Sequence, residues 1–167
     1  MASTAEHNFI RQQGFPDAPA ESCHARYSGL LFQPRTLGLL VLVGLLTQWA
    51  PLFLVLGVLL AWNVAVPALN PFDHLYNRLV AGPRGKPPLT PAPAPRRFAQ
   101  GMAATFMLVI GLSLARGWSA VAWVAEGMLG VALGALIFGK LCLGSYVYHL
   151  VRGEASFARR TLPWAKE

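Results

Sequence analysis

The sequence predicts an all-α integral membrane protein with four transmembrane helices arranged as two helical hairpins. Three observations support this prediction. Of the 167 residues, 54% are hydrophobic and only 13% are charged, whereas about a quarter of a soluble domain is charged. The charges are also segregated, because residues 37–69 and 99–139 together contain only two acidic or basic side chains, Arg116 and Glu126. Each of these apolar runs is long enough to hold membrane-spanning helix.

The first segment, residues 1–33, is polar and contains Gly14, Pro16 and Pro19. This composition predicts an extended cytoplasmic arm with few regular elements. The first 29 residues contain neither the apolar stretch nor the small-residue cleavage site of a signal peptide. We therefore expect the first hydrophobic segment to act as the insertion signal.

The first transmembrane hairpin is predicted over residues 34–69. Pro34 suits the first turn of a helix, whereas Pro51 disfavours helical geometry at the residue before it. The 33 residues from 37 to 69 would form about 50 Å of helix, against a hydrocarbon core of about 30 Å. The sequence favours two short helices that turn near residues 49–51, and a single kinked span remains the alternative.

The second half of the chain begins with a Pro-rich, basic cytoplasmic linker at residues 70–98. Its Pro-Ala-Pro-Ala-Pro run should be extended and stiff, and residues 72–80 are predicted to form a short amphipathic helix at the membrane surface. The second transmembrane hairpin is predicted over residues 99–151. Its last span should begin near Trp118 and continue to about Val151, before a cytoplasmic tail at residues 152–167.

Charge predicts the orientation. Lys and Arg number three in residues 1–35, five in residues 70–98 and five from residue 140 onward, whereas the hairpin tips carry only Arg116. By the positive-inside rule, both termini and the linker should be cytoplasmic, in a bacterial inner membrane. This topology explains the net charge of +7 without nucleic-acid binding. The basic residues expected to contact lipid headgroups or a partner include Arg84, Lys86, Arg96, Arg97 and Arg152.

Two charged residues of the predicted last span are candidates for function. Glu126 should lie just inside the outer boundary, where Arg116 is the candidate partner within the chain. It would be a structural or interfacial carboxylate, or a group that handles protons or ions. Lys140 should lie about 9 Å from the inner boundary. Its side chain would snorkel to the headgroups, or act as a cation facing a partner or a buried anion.

The same span contains Cys142 and a set of glycines. Cys142 would be either a thiol activated by Lys140 or an inert buried residue, and on a helix these two side chains point to nearly opposite faces. Gly127, Gly130 and Gly134 line one side of the span and predict close packing against another helix, in this chain or in a neighbour.

Other site chemistry is not indicated. The four histidines are scattered, and Cys23 and Cys142 do not have metal-ligand spacing. Without a nucleophile–base pair, the sequence predicts a protein that is not an enzyme. It predicts no metal or cofactor, although a lipid or pigment could be held at a partner interface.

Two stretches, "PAPAPRRFAQGMA" and "FGKLCLGSYVYHLV", resemble a bacterial domain-of-unknown-function family of small four-span membrane proteins. The resemblance covers about residues 30–152. In that family the last span ends in a C-x-G-C-like pattern, which would place Cys142, Gly144 and Ser145 at its positions. The resemblance implies a dithiol or redox role, but the second cysteine position is Ser145 here, and one thiol cannot close an internal disulfide.

These observations predict a non-catalytic accessory or structural subunit that packs against a larger bacterial membrane complex, respiratory or photosynthetic. Its expected partners are membrane lipids and other integral membrane subunits. Two alternatives remain open: a membrane redox or sulfur-handling protein that uses Cys142, and a small transporter that uses Glu126.

Overall fold

The computed structural model describes residues 3–15 and 20–165, and every regular element in these ranges is helical. Pro16 and Pro19 of the predicted arm lie outside the described residues. The helices are α1 (Thr4–Gln12), α2 (Ala20–Leu30), α3 (Phe32–Thr47), α4 (Ala50–Ala65), α5 (Pro71–Tyr76), α6 (Ala94–Ala115), α7 (Ser119–Ile137), α8 (Leu143–Val151) and α9 (Ala155–Arg160).

Three helical stretches are long and apolar enough to cross a membrane: Cys23–Thr47, Ala94–Ala115 and Ser119–Ile137. The first runs from within α2 to the end of α3, and the others are α6 and α7. Helix α4 is also apolar but has only 16 residues, about 24 Å of rise against a hydrocarbon core of about 30 Å. The chain is therefore helical with three candidate spans and a shorter apolar helix.

Residues 34–69 hold two helices, α3 and α4, with a turn at residues 48–49, whereas their crossing of a membrane as a hairpin stays a prediction. Gln48, which follows α3, has a left-handed backbone (φ 50°) that ends the helix, and Pro51 lies in the first turn of α4. The guanidinium of Arg97, near the start of α6, donates to the Val64 carbonyl near the end of α4 at 2.8 Å. Arg96, its neighbour, contacts Gln33 near the start of α3. Helix α4 therefore returns to the end of the bundle at which α3 begins.

These contacts define two ends of the bundle. We call the end that holds the starts of α3 and α6 and the end of α4 the basic end, and the end that holds the turns at residues 48–49 and 116–118 the tip end. At the tip end the Gln48 side chain contacts Glu126 of α7. Helices α3 and α6 therefore run in one direction, and α4 and α7 run in the other.

The main apolar core lies between α3, α4, α6 and α7. Phe53, Leu60, Met107 and Ile110 are almost completely buried within it. Other apolar side chains point away from the chain, as expected of a surface that faces lipid; examples are Leu46, which is 78% exposed, and Val131, which is 68% exposed.

The prediction of an extended N-terminal arm is wrong for the described residues. Ser3 and Glu6 form a capping box, in which the Ser3 hydroxyl accepts from the Glu6 N–H and the Glu6 carboxylate accepts from the Ser3 N–H. Helix α1 then buries Phe9 and Ile10 in a second apolar cluster at the basic end. The Asn8 amide also donates to the carbonyls of residues 162 and 165, near the other end of the chain.

The prediction of a continuous last span to Val151 is also wrong. Helix α7 ends at Ile137, and Lys140 has a left-handed backbone (φ 53°). The Leu141 N–H donates to the Ala135 carbonyl at 3.0 Å, which closes the end of the helix. Helix α8 then begins at Leu143. The apolar run hides this break, because only Gly139 and Lys140 interrupt it.

The Pro-rich segment is folded against the rest of the chain, although it has no helix over residues 86–93. Asn77 and Leu89 exchange two hydrogen bonds, of 2.7 and 3.0 Å, between the asparagine amide and the leucine backbone. Helix α6 begins at Ala94, before the predicted boundary of the second hairpin. Arg96 and Arg97 therefore belong to its first turn and not to a solvated linker.

Gly144 allows α8 to approach α6. A Cβ atom at this position would lie 2.6 Å from the Ala99 Cα atom, a backbone atom that moves only with its helix. We expect Gly144→Ala to lower the free energy of unfolding by about 1–3 kcal/mol through overpacking. Gly127→Ala is the control, because a Cβ there meets nothing within 4 Å. Titration of the purified variants with sodium dodecyl sulfate, followed by circular dichroism, measures both, and equal midpoints for the two would contradict this account.

Candidate functional site

A buried polar cluster at the basic end contains a charged pair. Arg96 is 5% exposed and Asp73 is 6% exposed. The two guanidinium NH groups of Arg96 donate to the two Asp73 carboxylate oxygens at 2.7 and 3.1 Å. Bidentate geometry of this kind and additional hydrogen bonds are what make a buried ion pair tolerable. The prediction that Arg96 contacts lipid headgroups or a partner is wrong, because its guanidinium is buried and paired with the Asp73 carboxylate.

Three amide side chains complete this cluster. The Gln33 carbonyl accepts from Arg96 at 3.1 Å, from Gln100 at 2.9 Å and from Asn70 at 3.3 Å. Asn70 also donates to Asp73, and its own carbonyl accepts from the Phe72 N–H to cap α5. We call Gln33, Asn70, Asp73, Arg96 and Gln100 the polar layer. It joins α3, α5 and α6 through side chains alone.

Cys142 lies immediately before α8 and is 4% exposed. Its N–H donates to the Gln12 side-chain carbonyl at 2.9 Å, which ties α1 to this position. The Ser145 hydroxyl oxygen lies 3.2 Å from the Pro95 carbonyl oxygen and 3.3 Å from the Cys142 sulfur, and its one hydrogen can be donated to only one of them. The residue at the family's second cysteine position therefore touches the first one. Cys23 is also a free, buried thiol and belongs to the same apolar cluster as Cys142.

Lys140 is held in the turn between α7 and α8. Its ammonium donates to the Glu6 carboxylate at 3.3 Å and to the Ser3 hydroxyl at 3.3 Å, and it lies 5.4 Å from the centre of the Tyr27 ring. The structure thus gives this cation an anion within the chain. The prediction that Lys140 lies on a transmembrane helix is wrong, because α7 has already ended.

Glu126 has a different partner from the one predicted. It is 8% exposed, and the Gln48 amide donates to its two oxygens at 3.1 and 3.3 Å. Among the described residues the structure shows no ion pair between Glu126 and Arg116, which is exposed beyond the end of α6. The left-handed backbone of Gln48 turns its side chain toward α7, a feature that the sequence pattern does not reveal. A transport role for Glu126 stays a prediction.

The three α7 glycines lie on a face that the described residues do not cover. A Cβ atom at Gly127, Gly130 or Gly134 would meet nothing within 4 Å. By contrast, a Cβ at Gly57 would lie 2.8 Å from Leu108, and one at Gly111 would lie 2.7 Å from Leu54. These last two glycines hold α4 and α6 together. The α7 glycines mediate no such close approach to another helix in the described part of the chain.

The remaining basic candidates differ from one another. Arg84 is exposed and Lys86 is partly buried in the Pro-rich segment, which leaves their predicted contact with lipid or a partner untested. The Arg97 guanidinium donates two hydrogen bonds to the Val64 carbonyl. Arg152 is exposed, with its guanidinium 5.9 Å from the centre of the Tyr148 ring.

His149 connects α8 to the residues that follow it and to the end of α1. One ring nitrogen lies 2.6 Å from the Glu154 carboxylate, and the other lies 3.2 Å from the Gln12 backbone carbonyl. Within residues 3–15 and 20–165, no group of three His, Cys, Asp or Glu side chains could hold a metal ion. His149 is therefore a structural connection between α1 and α8.

Sequence reasoning missed the amide groups of the polar layer and Asp73. One signal was available, since Asp73 is the single acidic residue among five basic ones in residues 70–98. Gln33 stands a few residues before the first apolar run, and Gln100 stands just inside the start of the second. Such positions suit a buried polar contact as well as an interfacial one, so the sequence alone could not decide between them.

The regular elements of residues 3–15 and 20–165 are all helical, and three helical stretches are long and apolar enough to cross a membrane, which indicates a helical membrane protein. It belongs to the family described as a domain of unknown function, DUF4395, whose match covers residues 28–152. The predicted resemblance, which was placed at about residues 30–152, is confirmed. Comparisons with curated proteins and with solved structures found no significant match.

The contact between Lys140 and Glu6 makes stability depend on pH. Burial acts to raise the pKa of the Glu6 carboxyl, but hydrogen bonds from His24 and Lys140 and the charge of Lys140 outweigh it, so this pKa lies below its ordinary value of 4.5. A lowered carboxyl pKa stabilises the fold above pH 4.5, and this contribution is lost as the pH falls through the lowered pKa.

We expect Lys140→Met to lower stability by up to about 1 kcal/mol at pH 7. The deficit should shrink as the pH falls through the lowered Glu6 pKa, and the part that remains reflects the lost contacts with the Ser3 hydroxyl and the Tyr27 ring. Thermal unfolding measured in steps downward from pH 7 tests this, with Lys86→Met in the Pro-rich segment as the control. A deficit that stays constant across the pH series would show that the ion pair contributes nothing.

Proposed function

We propose that the protein is a non-catalytic subunit that packs against a larger bacterial membrane complex through the glycine face of α7. The observation that carries this proposal is the open space beside Gly127, Gly130 and Gly134. Glycine costs a helix about 1 kcal/mol relative to alanine. Among the described residues, no atom lies within 4 Å of a Cβ built at any of the three glycines, so no close contact that needs glycine offsets that cost.

Uncovered glycines on this face indicate a helix contact because of how helices associate in lipid. Apolar side chains gain little by leaving lipid for another apolar surface, so helices in membranes associate largely where small residues let their backbones approach closely. Gly57 and Gly111 already serve this purpose between α4 and α6. The same residue type on the outer face of α7 fits an equally close approach by a helix from outside the chain.

A groove beside this face extends the proposed contact. It lies between α3 and α7, has a volume of about 530 Å³, and is lined by Gly38, Leu42, Gly130, Gly134 and Phe138 among other apolar residues. The occupant that we propose is an apolar transmembrane helix of another integral subunit.

The orientation is part of the proposal. We infer that four helices cross the bacterial inner membrane with the basic end in the cytoplasm, because thirteen of the fourteen Lys and Arg residues lie outside the tip end. Membrane lipids are then the remaining contacts. Arg84, Lys86 and Arg152 would face their headgroups.

The test is purification in a mild detergent from native membranes, with mass spectrometry of the associated proteins. The wild-type chain should co-purify with another integral membrane protein. Gly130→Ile, which adds bulk to the glycine face, should lose that protein. Val55→Phe adds bulk at a lipid-facing position of α4, where Val55 is 64% exposed, and should retain it.

Two outcomes would contradict this proposal. The first is a wild-type protein that elutes as a single chain with nothing attached. The second is a complex that contains only further copies of this chain, which would make the glycine face a contact for self-association. Equal retention of the partner by Gly130→Ile and Val55→Phe would show that the partner binds a surface other than the glycine face.

A second function, thiol–disulfide exchange at Cys142, is favoured by the Ser145 hydroxyl, whose oxygen lies 3.3 Å from the sulfur. When Cys142 is a thiolate, this hydroxyl can turn from the Pro95 carbonyl and donate to the sulfur, which stabilises the negative charge. In this exchange the Cys142 sulfur bonds to one sulfur of a disulfide on another protein, the old S–S bond breaks, and the other sulfur leaves as a thiolate that takes up the proton. The chain itself supplies no second thiol at the C-x-G-C position.

The alkylation rate of Cys142 by N-ethylmaleimide tests this second function. In a Cys23→Ser background, Ser145→Ala should slow alkylation several-fold at neutral pH, because the variant lacks the hydroxyl that can turn from the Pro95 carbonyl to the Cys142 thiolate and stabilise it by one hydrogen bond. Ser113→Ala, at a buried serine of α6, should leave the rate unchanged. Equal rates in both variants, or a folded protein whose Cys142 is never alkylated, would exclude exchange at this thiol.

A further inference from the structure

We propose that the polar layer and the space beside it form a binding site for a neutral amphiphile. Such a molecule has an uncharged head, which carries a hydrogen-bond acceptor next to a donor, and an apolar tail. The site lies at the basic end between α3, α6, α7 and α8. The proposal rests on Gln33 and Gln100 and does not depend on the glycine face of α7.

The hydrogen bonds of the polar layer fix the orientation of both glutamine amides. An arginine side chain can only donate, so the Gln33 carbonyl must face Arg96 and its NH₂ group must face away. The same carbonyl accepts from the Gln100 NH₂ group at 2.9 Å. The Gln100 carbonyl is therefore turned away as well.

These orientations leave one donor group and one acceptor group unused. The Gln33 side-chain nitrogen and the Gln100 side-chain oxygen have no hydrogen-bond partner among the described residues. The two side chains are 3% and 7% exposed, so bulk water does not compensate them. Buried polar groups are nearly always hydrogen-bonded, and a bound molecule would supply what both atoms lack.

The space for such a molecule has two parts. Gln33 and Gln100 line a cavity of about 80 Å³ together with Arg96 and Cys142. A second cavity of about 300 Å³ shares Cys142 with the first and is otherwise apolar, with Phe106 among its lining residues. The smaller cavity is large enough for a few non-hydrogen atoms of a polar head, and the larger one suits an acyl chain.

Charge selects the kind of head. Asp73 neutralises Arg96 through two hydrogen bonds, so the polar layer carries no net charge toward the cavity. An anionic head would be poorly compensated there. The pairing of one free NH₂ group with one free carbonyl instead matches a head such as a primary amide, whose carbonyl would accept from Gln33 and whose NH₂ would donate to Gln100.

The probe is hexadecanamide with a diazirine in mid-chain, added to the full-length protein in phosphatidylcholine nanodiscs. Photolabelling should be saturable and should map to residues 99–106 and 128–136. Unlabelled hexadecanamide should compete, whereas hexadecane, which lacks a head, should not. Gln33→Glu keeps an oxygen toward Arg96 but removes the NH₂ group, and we expect it to reduce labelling about two- to tenfold.

Asn63→Asp is the matched control. Both side-chain amide atoms of Asn63 are also buried without a partner among the described residues, but Asn63 lines neither cavity, so labelling should be unchanged. Gln100→Met provides a second loss of one head contact, and circular dichroism confirms that each variant is folded. The proposal is overturned if both cavity variants label like the wild type. It is overturned equally if hexadecane competes as well as hexadecanamide, since any apolar chain would then fill the space.

Discussion

The architecture at the basic end depends on the ion pair between Arg96 and Asp73. Removing two charges from water is expensive, and the loss of one partner of a buried pair typically costs about 3–5 kcal/mol because the other is left uncompensated. Here the compensation comes from Gln33 and Asn70 as well as from the pair itself. A single guanidinium thereby fixes the start of α3, the position of α5 and the first turn of α6.

Two kinds of interaction therefore hold the helices together. Toward the tip end, α4 and α6 are held by close backbone approach at Gly57 and Gly111 and by apolar packing. Toward the basic end, hydrogen bonds hold the helices, and α1 covers the result through Gln12 and its contacts with Cys142 and His149. The close apolar packing toward the tip end suits an environment of lipid. The hydrogen-bonded contacts toward the basic end keep water away from polar side chains that point inward. The proposed partner face and the proposed ligand site belong to different regions for this reason.

Much of the helical framework was predictable from the sequence, because apolar runs and prolines mark it directly. The turn before Pro51 and the non-helical Pro-rich run are examples. The extent of the family match was predictable for another reason, which is the two quoted sequence stretches. The end of α7 was not predictable in the same way, since a left-handed Lys140 leaves no trace in the hydropathy. Helix α1 could have been predicted from Ser3 and Glu6, whose spacing is that of a capping box.

The candidate site was harder to predict than the fold. Arg96 was assigned to the lipid surface because basic residues usually lie there, and only the position of Asp73 across a folded linker reverses that assignment. Glu126 was matched to Arg116 because opposite charges on one side suggest a pair. The actual partner, Gln48, is reached through a turn conformation. Both errors arise because tertiary contacts decide which polar groups meet.

The contact of Asn8 with the carbonyls of Leu162 and Ala165 has a consequence for how the protein is made. Asn8 binds residues that leave the ribosome more than 150 positions later, so this contact cannot form until both apolar halves of the bundle have been synthesised. The helices between these residues can pack on one another before the contact exists. Helix α1 therefore cannot make all of its final contacts until that late stage of synthesis.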